Sequence, residues 1–155
     1  QTVQAAHAPR GAAPDRTRLH CPPRDTCAVA MEGARCGALP ASLGEKDLRR
    51  SHPRFSAENW PRNLSLFTQF EALAAEAGLE PAQLALAWVL AQGEHVHAIP
   101  GTTSLDHLRE NHSASDIVVD GAVMEKAGRL INQRTVSGHR YPEVMRHTID
   151  TEEFD

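Results

Sequence analysis

The fold is decided by residues 81–112, PAQLALAWVLAQGEHVHAIPGTTSLDHLRENH. The first ten of these residues are apolar around most of a helical circumference, which is typical of a helix buried on more than one side. Residues 95–99 predict a β-strand, and Pro100-Gly101 predicts a tight turn after it. Ser104 can then cap a helix over Leu105–His112. Because a lone strand cannot satisfy its own edges, this order of elements indicates a piece of an α/β fold.

Apolar spacing predicts further helices on both sides of this stretch. Asn59 is a suitable N-cap for a helix that ends at Gly78. Its apolar face contains Leu64, Phe67, Phe70, Leu73, Ala74 and Ala77. Asp120 can cap another helix, whose inward residues are Val123, Met124, Ala127, Leu130 and Ile131. With a short helix from Glu143 to about Asp150, the sequence predicts a mostly helical chain with one clear strand.

Length and charge restrict the classes of function. The chain has 155 residues, enough for one domain with a real core. A net charge of −4 gives no electrostatic case for binding nucleic acid or an anionic membrane. No apolar run approaches the roughly 20 residues of a membrane helix, and the N-terminus lacks the order of a signal peptide. The expectation is a cytoplasmic protein.

Residues 1–40 differ in composition from the rest of the chain. They are rich in Ala, Arg, Pro, Gly and Cys and show no apolar period, so they predict an irregular or disordered arm before a folded unit at 41–155. Cys21, Cys27 and Cys36 all lie in this arm. Their odd number and their spacing fit neither a disulfide framework nor a zinc site, and no metal site is predicted.

The turn at Gly101-Thr102-Thr103-Ser104 is the best candidate for a binding site. A helix N-terminus exposes unpaired N–H groups and a partial positive charge, which suits a phosphate. Glu110 and Asn111 lie further along the helix, within reach of an adenine amino group. Spacing alone favours the alternative that Ser104 only caps, Gly101 only turns the chain, and the two polar residues are solvated.

Other polar clusters favour ordinary structural roles. His95 and His97 alternate, so they lie on one face, where a solvent-facing position is favoured over a metal pair. The cluster at 139–141 is expected at the surface, and Trp60 and Trp88 are expected in the core or in an interface.

Residues 47–149 resemble the C-terminal third of an aldo-keto reductase. The resemblance rests on four ordered blocks, namely Pro53-Arg54-Phe55 with Glu58-Asn59 and Asn63, Pro81 to Trp88, Ile99-Pro100-Gly101-Thr102 with Glu110-Asn111, and Gly138-His139-Arg140-Tyr141-Pro142.

The resemblance implies an α/β fold, as the C-terminal fragment of a (β/α)8 TIM barrel that reduces small-molecule carbonyl substrates with NADPH. The cofactor-binding residues that it implies are Gly101, Thr102, Thr103, His107, Glu110 and Asn111. In the family, the positions of Thr102, Thr103 and His107 often carry Lys or Arg that hold the 2′-phosphate. Their absence here means that NAD is not excluded.

The resemblance also implies a catalytic Asp, Tyr, Lys and His from the first half of the barrel, and none of these maps onto this chain. Tyr141 is the only tyrosine and matches the tail, and neither Lys46 nor Lys126 lies in a predicted strand. The chain alone is therefore predicted to be inactive. The alternative is a non-catalytic small helical binding module that keeps a residual nucleotide-phosphate site. Either form is expected to self-associate through the barrel-facing side of Leu84–Ile99.

Overall fold

The computed structural model describes residues 43–45 and 47–147, and this part of the chain is helical. Its α-helices are α1 (Trp60–Glu76), α2 (Pro81–Leu90), α3 (Leu105–Ser113), α4 (Gly121–Leu130) and α5 (Glu143–Arg146). Short 3-10 helices cover Leu48–Ser51, Pro53–Phe55 and Ala114–Asp116. Among the described residues, no helix combines the length and the apolar character that crossing a bilayer requires.

Helix α1 begins and ends where the sequence predicts, although its start is not capped as expected. Asn59 has a helical backbone and its side chain makes no capping bond. It donates instead to the carbonyl oxygen of Pro53 at 2.9 Å. At the other end Gly78, with φ of 69°, occupies the left-handed region. The N–H of Gly78 bonds to the oxygen of Ala75, and that of Leu79 to Ala74, which closes the helix in a Schellman motif.

Helix α2 is the central helix, as its all-round apolar sequence predicts. None of its ten residues is exposed, and it packs against α1, α3 and the 3-10 helix Ala114–Asp116. The indole N–H of Trp88 donates to the carbonyl oxygen of Met124 in α4 at 3.1 Å. A side chain at Gly128 would meet the same indole ring at 3.4 Å, so α4 lies close to α2 there.

The core lies between α1, α2 and α4. Its buried residues are Phe67, Phe70, Leu73, Ala74, Ala82, Leu84, Ala85, Ala127, Ile131 and Val136. Phe70 and Leu84 are its largest fully buried side chains. Of the inward face predicted for α4, Ala127 and Ile131 are buried and the others are half-buried, so the predicted period is confirmed.

The strand predicted over residues 95–99 is wrong, and none of the described residues is in a strand. A strand needs a neighbour to bond with its backbone, and the described part of the chain supplies none. The N–H of Val96 instead closes a turn on the oxygen of Gly93 at 2.9 Å. The side-chain alternation does hold locally, because Val96 is buried while His95 and His97 are exposed.

The predicted caps of α3 and α4 are confirmed. Ser104 Oγ accepts from the N–H of His107 at 3.4 Å, and Asp120 Oδ1 accepts from the N–H of Ala122 at 2.8 Å. The last helix is shorter than predicted, since α5 ends at Arg146 and residues 148–150 lie outside the described residues.

The buried side chain of Asn63 connects the first turn of α1 by hydrogen bonds to the segment before α1 and to the segment after α4. Its Nδ2 donates to the carbonyl oxygens of Arg54 and Ser137, each at 2.9 Å. Its Oδ1 accepts from the N–H of Ser137 at 2.9 Å. Gly138 follows with φ of 88°, and a Cβ there would lie 2.6 Å from Asn59 Nδ2. The segment after α4 can therefore approach α1 only because residue 138 has no side chain.

We expect Asn63→Ala to lower the free energy of unfolding by about 3 kcal/mol, because it leaves two buried carbonyl oxygens and one buried N–H without their hydrogen-bond partner. Urea unfolding measures this cost. Gln69→Ala is the matched control, since that amide is exposed and bonds only to the oxygen of Ser65 within α1. The control should change stability by no more than about 0.5 kcal/mol. If the two variants lost equal amounts of unfolding free energy, the stabilising role of the Asn63 hydrogen bonds would be contradicted.

Candidate functional site

The turn before α3 is built by its own side chains. Pro100 and Gly101 end the extended segment, and Thr102 Oγ1 accepts from the N–H of Ser104 at 3.1 Å. Ser104 is extended, with φ of −96° and ψ of 130°, which places its hydroxyl over the first turn of the helix. Gly101, Thr102 and Thr103 are all exposed, and the Thr102 hydroxyl also donates to the carbonyl oxygen of Ser104 at 3.5 Å.

The N-terminus of α3 has donors to spare. Ser104 caps the N–H of His107, and the N–H of Leu108 bonds to the oxygen of Ser104. No acceptor in the described part of the chain takes the N–H groups of Leu105 and Asp106, and both residues are exposed. Together with the helix dipole, these two donors favour an anion at this end of α3.

The three predicted site residues inside α3 share one face. His107, Glu110 and Asn111 stand at positions i, i+3 and i+4, so their side chains follow one another along the helix. His107 is exposed, while Glu110 and Asn111 are half-buried. From Leu105 to Asn111 the helix rises about 9 Å, so an extended ligand is needed to reach both the turn and Asn111.

The charges around the turn are mixed. Asp106, in the first turn, pairs with Arg109 at 3.1 Å, and both side chains are largely exposed. Arg109 lies off the face that carries His107, Glu110 and Asn111. Residues 101–107 contain no Lys or Arg. An anion here would therefore depend on N–H groups, hydroxyls and His107 more than on a fixed positive charge.

Helix α3 is held at its C-terminal end. It contains no buried residue, whereas Ala114 directly after it is fully buried against α2. Gln83 Nε2 in α2 donates to Ser113 Oγ at 2.9 Å, and this hydroxyl donates to the carbonyl oxygen of Glu110 at 2.7 Å. Sequence reasoning missed this pair. The only signal was a Gln in an otherwise apolar helix.

The other groups that could form a functional site do not contribute to the turn. Among the described residues, no three His, Cys, Asp or Glu side chains are grouped so that they could hold a metal ion. The three cysteines lie outside the described residues. Tyr141 packs on its own chain, with its ring 6.5 Å from that of His52 and 4.8 Å from the guanidinium carbon of Arg140. A cavity of about 20 Å³ beside Trp60 has none of the predicted site residues in its wall.

Asp47 carries a strongly shifted pKa, and its role is structural. Hydrogen bonds from the Arg49 side chain and backbone lower the pKa of Asp47 from 3.8 to about 2. Its Oδ1 accepts from the backbone N–H of Arg49 at 3.0 Å, which caps the 3-10 helix Leu48–Ser51. The shift therefore belongs to this capping turn, and no predicted site residue contributes to it.

Comparison with known proteins identifies relatives over most of the chain. The aldo-keto reductase yakc [NADP(+)] of Schizosaccharomyces pombe is 38% identical over 103 residues, which are 66% of this chain and 30% of the relative. Probable aldo-keto reductase 1 of Glycine max is 39% identical over 98 residues, 63% of this chain and 28% of the relative. Aldo-keto reductase str7 of Strobilurus tenacellus is 32% identical over 115 residues, 74% of this chain and 34% of the relative.

The chain thus spans about a third of the length of these curated relatives. No solved structure gives a significant match. The model of the aldo/keto reductase family matches residues 29–131, which include the turn at Gly101 and all of α1 to α4. This match covers well over half of the chain, and the chain belongs to the aldo/keto reductase family.

Proposed function

We propose that this chain is the C-terminal part of a reductase barrel and contributes the adenosine and phosphate end of an NADP site. The carrying observation is the exposed turn at Gly101 and the N-terminus of α3, which offer unpaired donors within the family-matched segment. This end of a (β/α)8 barrel, after its last strands, is where the fold generally binds phosphate.

Each of the six site residues has a distinct task in this proposal. Gly101 permits close approach of the backbone, and Thr102 and Thr103 donate hydroxyl hydrogens to phosphate oxygens. The imidazole of His107 faces the 2′-phosphate. Glu110 and Asn111, at the far end of the same face, hydrogen-bond the adenine amino group. The cofactor itself supplies the hydride that reduces a carbonyl in the family.

We expect 2′-phospho-AMP to bind this chain and His107→Arg to tighten its binding about fivefold. One charge in a solvated pair is worth about 1 kcal/mol, and AMP, which lacks the 2′-phosphate, should gain little. Titration calorimetry at fixed salt measures both ligands.

His112→Arg is the matched control, because it adds the same charge on the same helix at an exposed position on another face. An equal gain from the control would show nonspecific attraction. The site would be refuted if neither nucleotide bound the parent chain.

The chain alone is expected to give no aldehyde-dependent oxidation of NADPH. Carbonyl reduction needs a general acid within hydrogen-bond reach of the carbonyl oxygen, and no Tyr of this chain lies near the turn. Its single tyrosine, Tyr141, packs against His52. The measurement is NADPH absorbance with an aromatic aldehyde, with a full-length relative as the positive control. A rate near that of the relative would overturn the prediction.

A second candidate function, a non-catalytic binding module, is favoured by the cluster of buried apolar residues between α1, α2 and α4. A packed core of this kind allows the chain to fold without the rest of a barrel. Helix α2 has no exposed residue, so Ile99 is the one large apolar side chain of the predicted surface over Leu84–Ile99 that is exposed. Such a module would bind through Ile99 and the exposed leucines of α3. Ile99 is 94% exposed, Leu105 60% and Leu108 53%, and all three lie in or beside the turn and α3.

The double variant Leu105→Gln and Leu108→Gln is expected to shift the chain from self-associated species toward monomer. The substitutions remove the two exposed leucines that are three residues apart on α3. Sedimentation velocity over a range of concentrations measures the shift. Val144→Gln is the control, since Val144 is 75% exposed on α5. A parent chain that is monomeric at every concentration would contradict the association.

A further inference from the structure

Gln83 is fixed at both ends of its carboxamide. Its Oε1 accepts from the N–H of Glu80 at 3.0 Å, and its Nε2 donates to Ser113 Oγ at 2.9 Å. The N–H of Glu80 can only donate, and the hydrogen of Ser113 Oγ is used on the oxygen of Glu110, so the amide has one orientation. The group therefore connects the N-terminus of α2 to the last residue of α3.

The hydroxyl of Ser113 passes this constraint to the candidate site. An oxygen that accepts from Gln83 and donates to the carbonyl oxygen of Glu110 at 2.7 Å has its one hydrogen committed. Both bonds are partly shielded from solvent, which makes them stronger than exposed ones. The backbone of Glu110 is thereby held at a set position relative to α2.

We call the bonds from Gln83 to Ser113 and from Ser113 to Glu110 the clamp, and the helix that it holds is little buried. The helix has no buried residue, and residues 105–109 are all exposed. Its C-terminal end is attached to α2, since Ser113 bonds to Gln83 and Ala114, directly after the helix, is buried. Small changes at Ser113 will move Glu110 and Asn111 more than they move the N-terminal turn.

We propose that Gln83 is a positioning residue, which acts through Ser113 to hold Glu110 and Asn111 at the adenine edge of the nucleotide site. This inference rests on the proposed function. It assigns a role to two residues outside the predicted site, and the ligand class that they serve is an adenine nucleotide.

Ser113→Ala tests the clamp, because it removes the hydroxyl and leaves the bond between Gln83 and Glu80 in place. The loss of one net hydrogen bond is expected to weaken the binding of AMP and 2′-phospho-AMP about fivefold each. The ratio of the two affinities should stay constant, since the N–H and hydroxyl groups of the turn, which would bind the phosphates, do not move. Ser113→Thr keeps the hydroxyl and should restore both affinities.

Ser115→Ala is the matched control. Ser115 Oγ donates to the oxygen of His112 at 2.8 Å, which is the same kind of bond, but it is exposed and makes no bond to α2 within the described residues. Gln83→Met should weaken binding as Ser113→Ala does, and the double variant should be no weaker than the weaker single variant. Unchanged affinity in Ser113→Ala, or additive losses in the double variant, would overturn the proposal.

Amide hydrogen exchange separates this proposal from the proposed function. In Ser113→Ala the amides of Glu110 and Asn111 should exchange several-fold faster than in Ser115→Ala, while those of α1 stay unchanged. If the parent chain binds neither nucleotide, the proposed function fails, yet faster exchange at these two amides would still support the clamp. If Glu110 and Asn111 exchanged at equal rates in the two variants, the positioning role of Gln83 and Ser113 would be refuted, whether or not the chain binds the nucleotides.

Discussion

The carboxamide of Asn63 joins the first turn of α1 to the segment just before it, at Arg54, and to Ser137, which is distant in sequence. Both hydrogens of Nδ2 and one lone pair of Oδ1 are used, on Arg54 and Ser137, and all three residues are buried. Neither a carboxylate nor an apolar side chain offers two donors and an acceptor in this arrangement. The first turn of α1 therefore stands at a defined place, and the packing of α1 against α2 and α4 follows from it.

The burial of side chains decreases from Asn63 toward the candidate site. Helix α2 has no exposed residue, and its single amide side chain, Gln83, bonds to α3. Helix α3 is anchored at one end and open at the other, where the turn at Gly101 offers its donors. A rigid scaffold that carries an exposed loop and helix terminus is a common arrangement for binding, because the scaffold sets the position and the loop supplies the chemistry.

The sequence predicted the helices closely because caps and apolar period are local properties. Ser104, Gly78 and Asp120 act where local chemistry places them, and α2 is buried as its composition requires. The strand over residues 95–99 could not be judged locally, since a strand exists only beside a partner. Asn59 and Asn63 were beyond reach for a related reason, because the carbonyls that they bond are set by the tertiary fold.

The two tryptophans of this chain report on different contacts of the scaffold. Trp60 stacks on Phe55 with ring centroids 5.3 Å apart, at the tie between α1 and the segment before it. Trp88 is bonded to Met124, between α2 and α4. Neither belongs to α3 or to the turn. The intrinsic emission of the chain will therefore follow the integrity of its helical core, and events at the turn before α3 call for a probe placed on α3 itself.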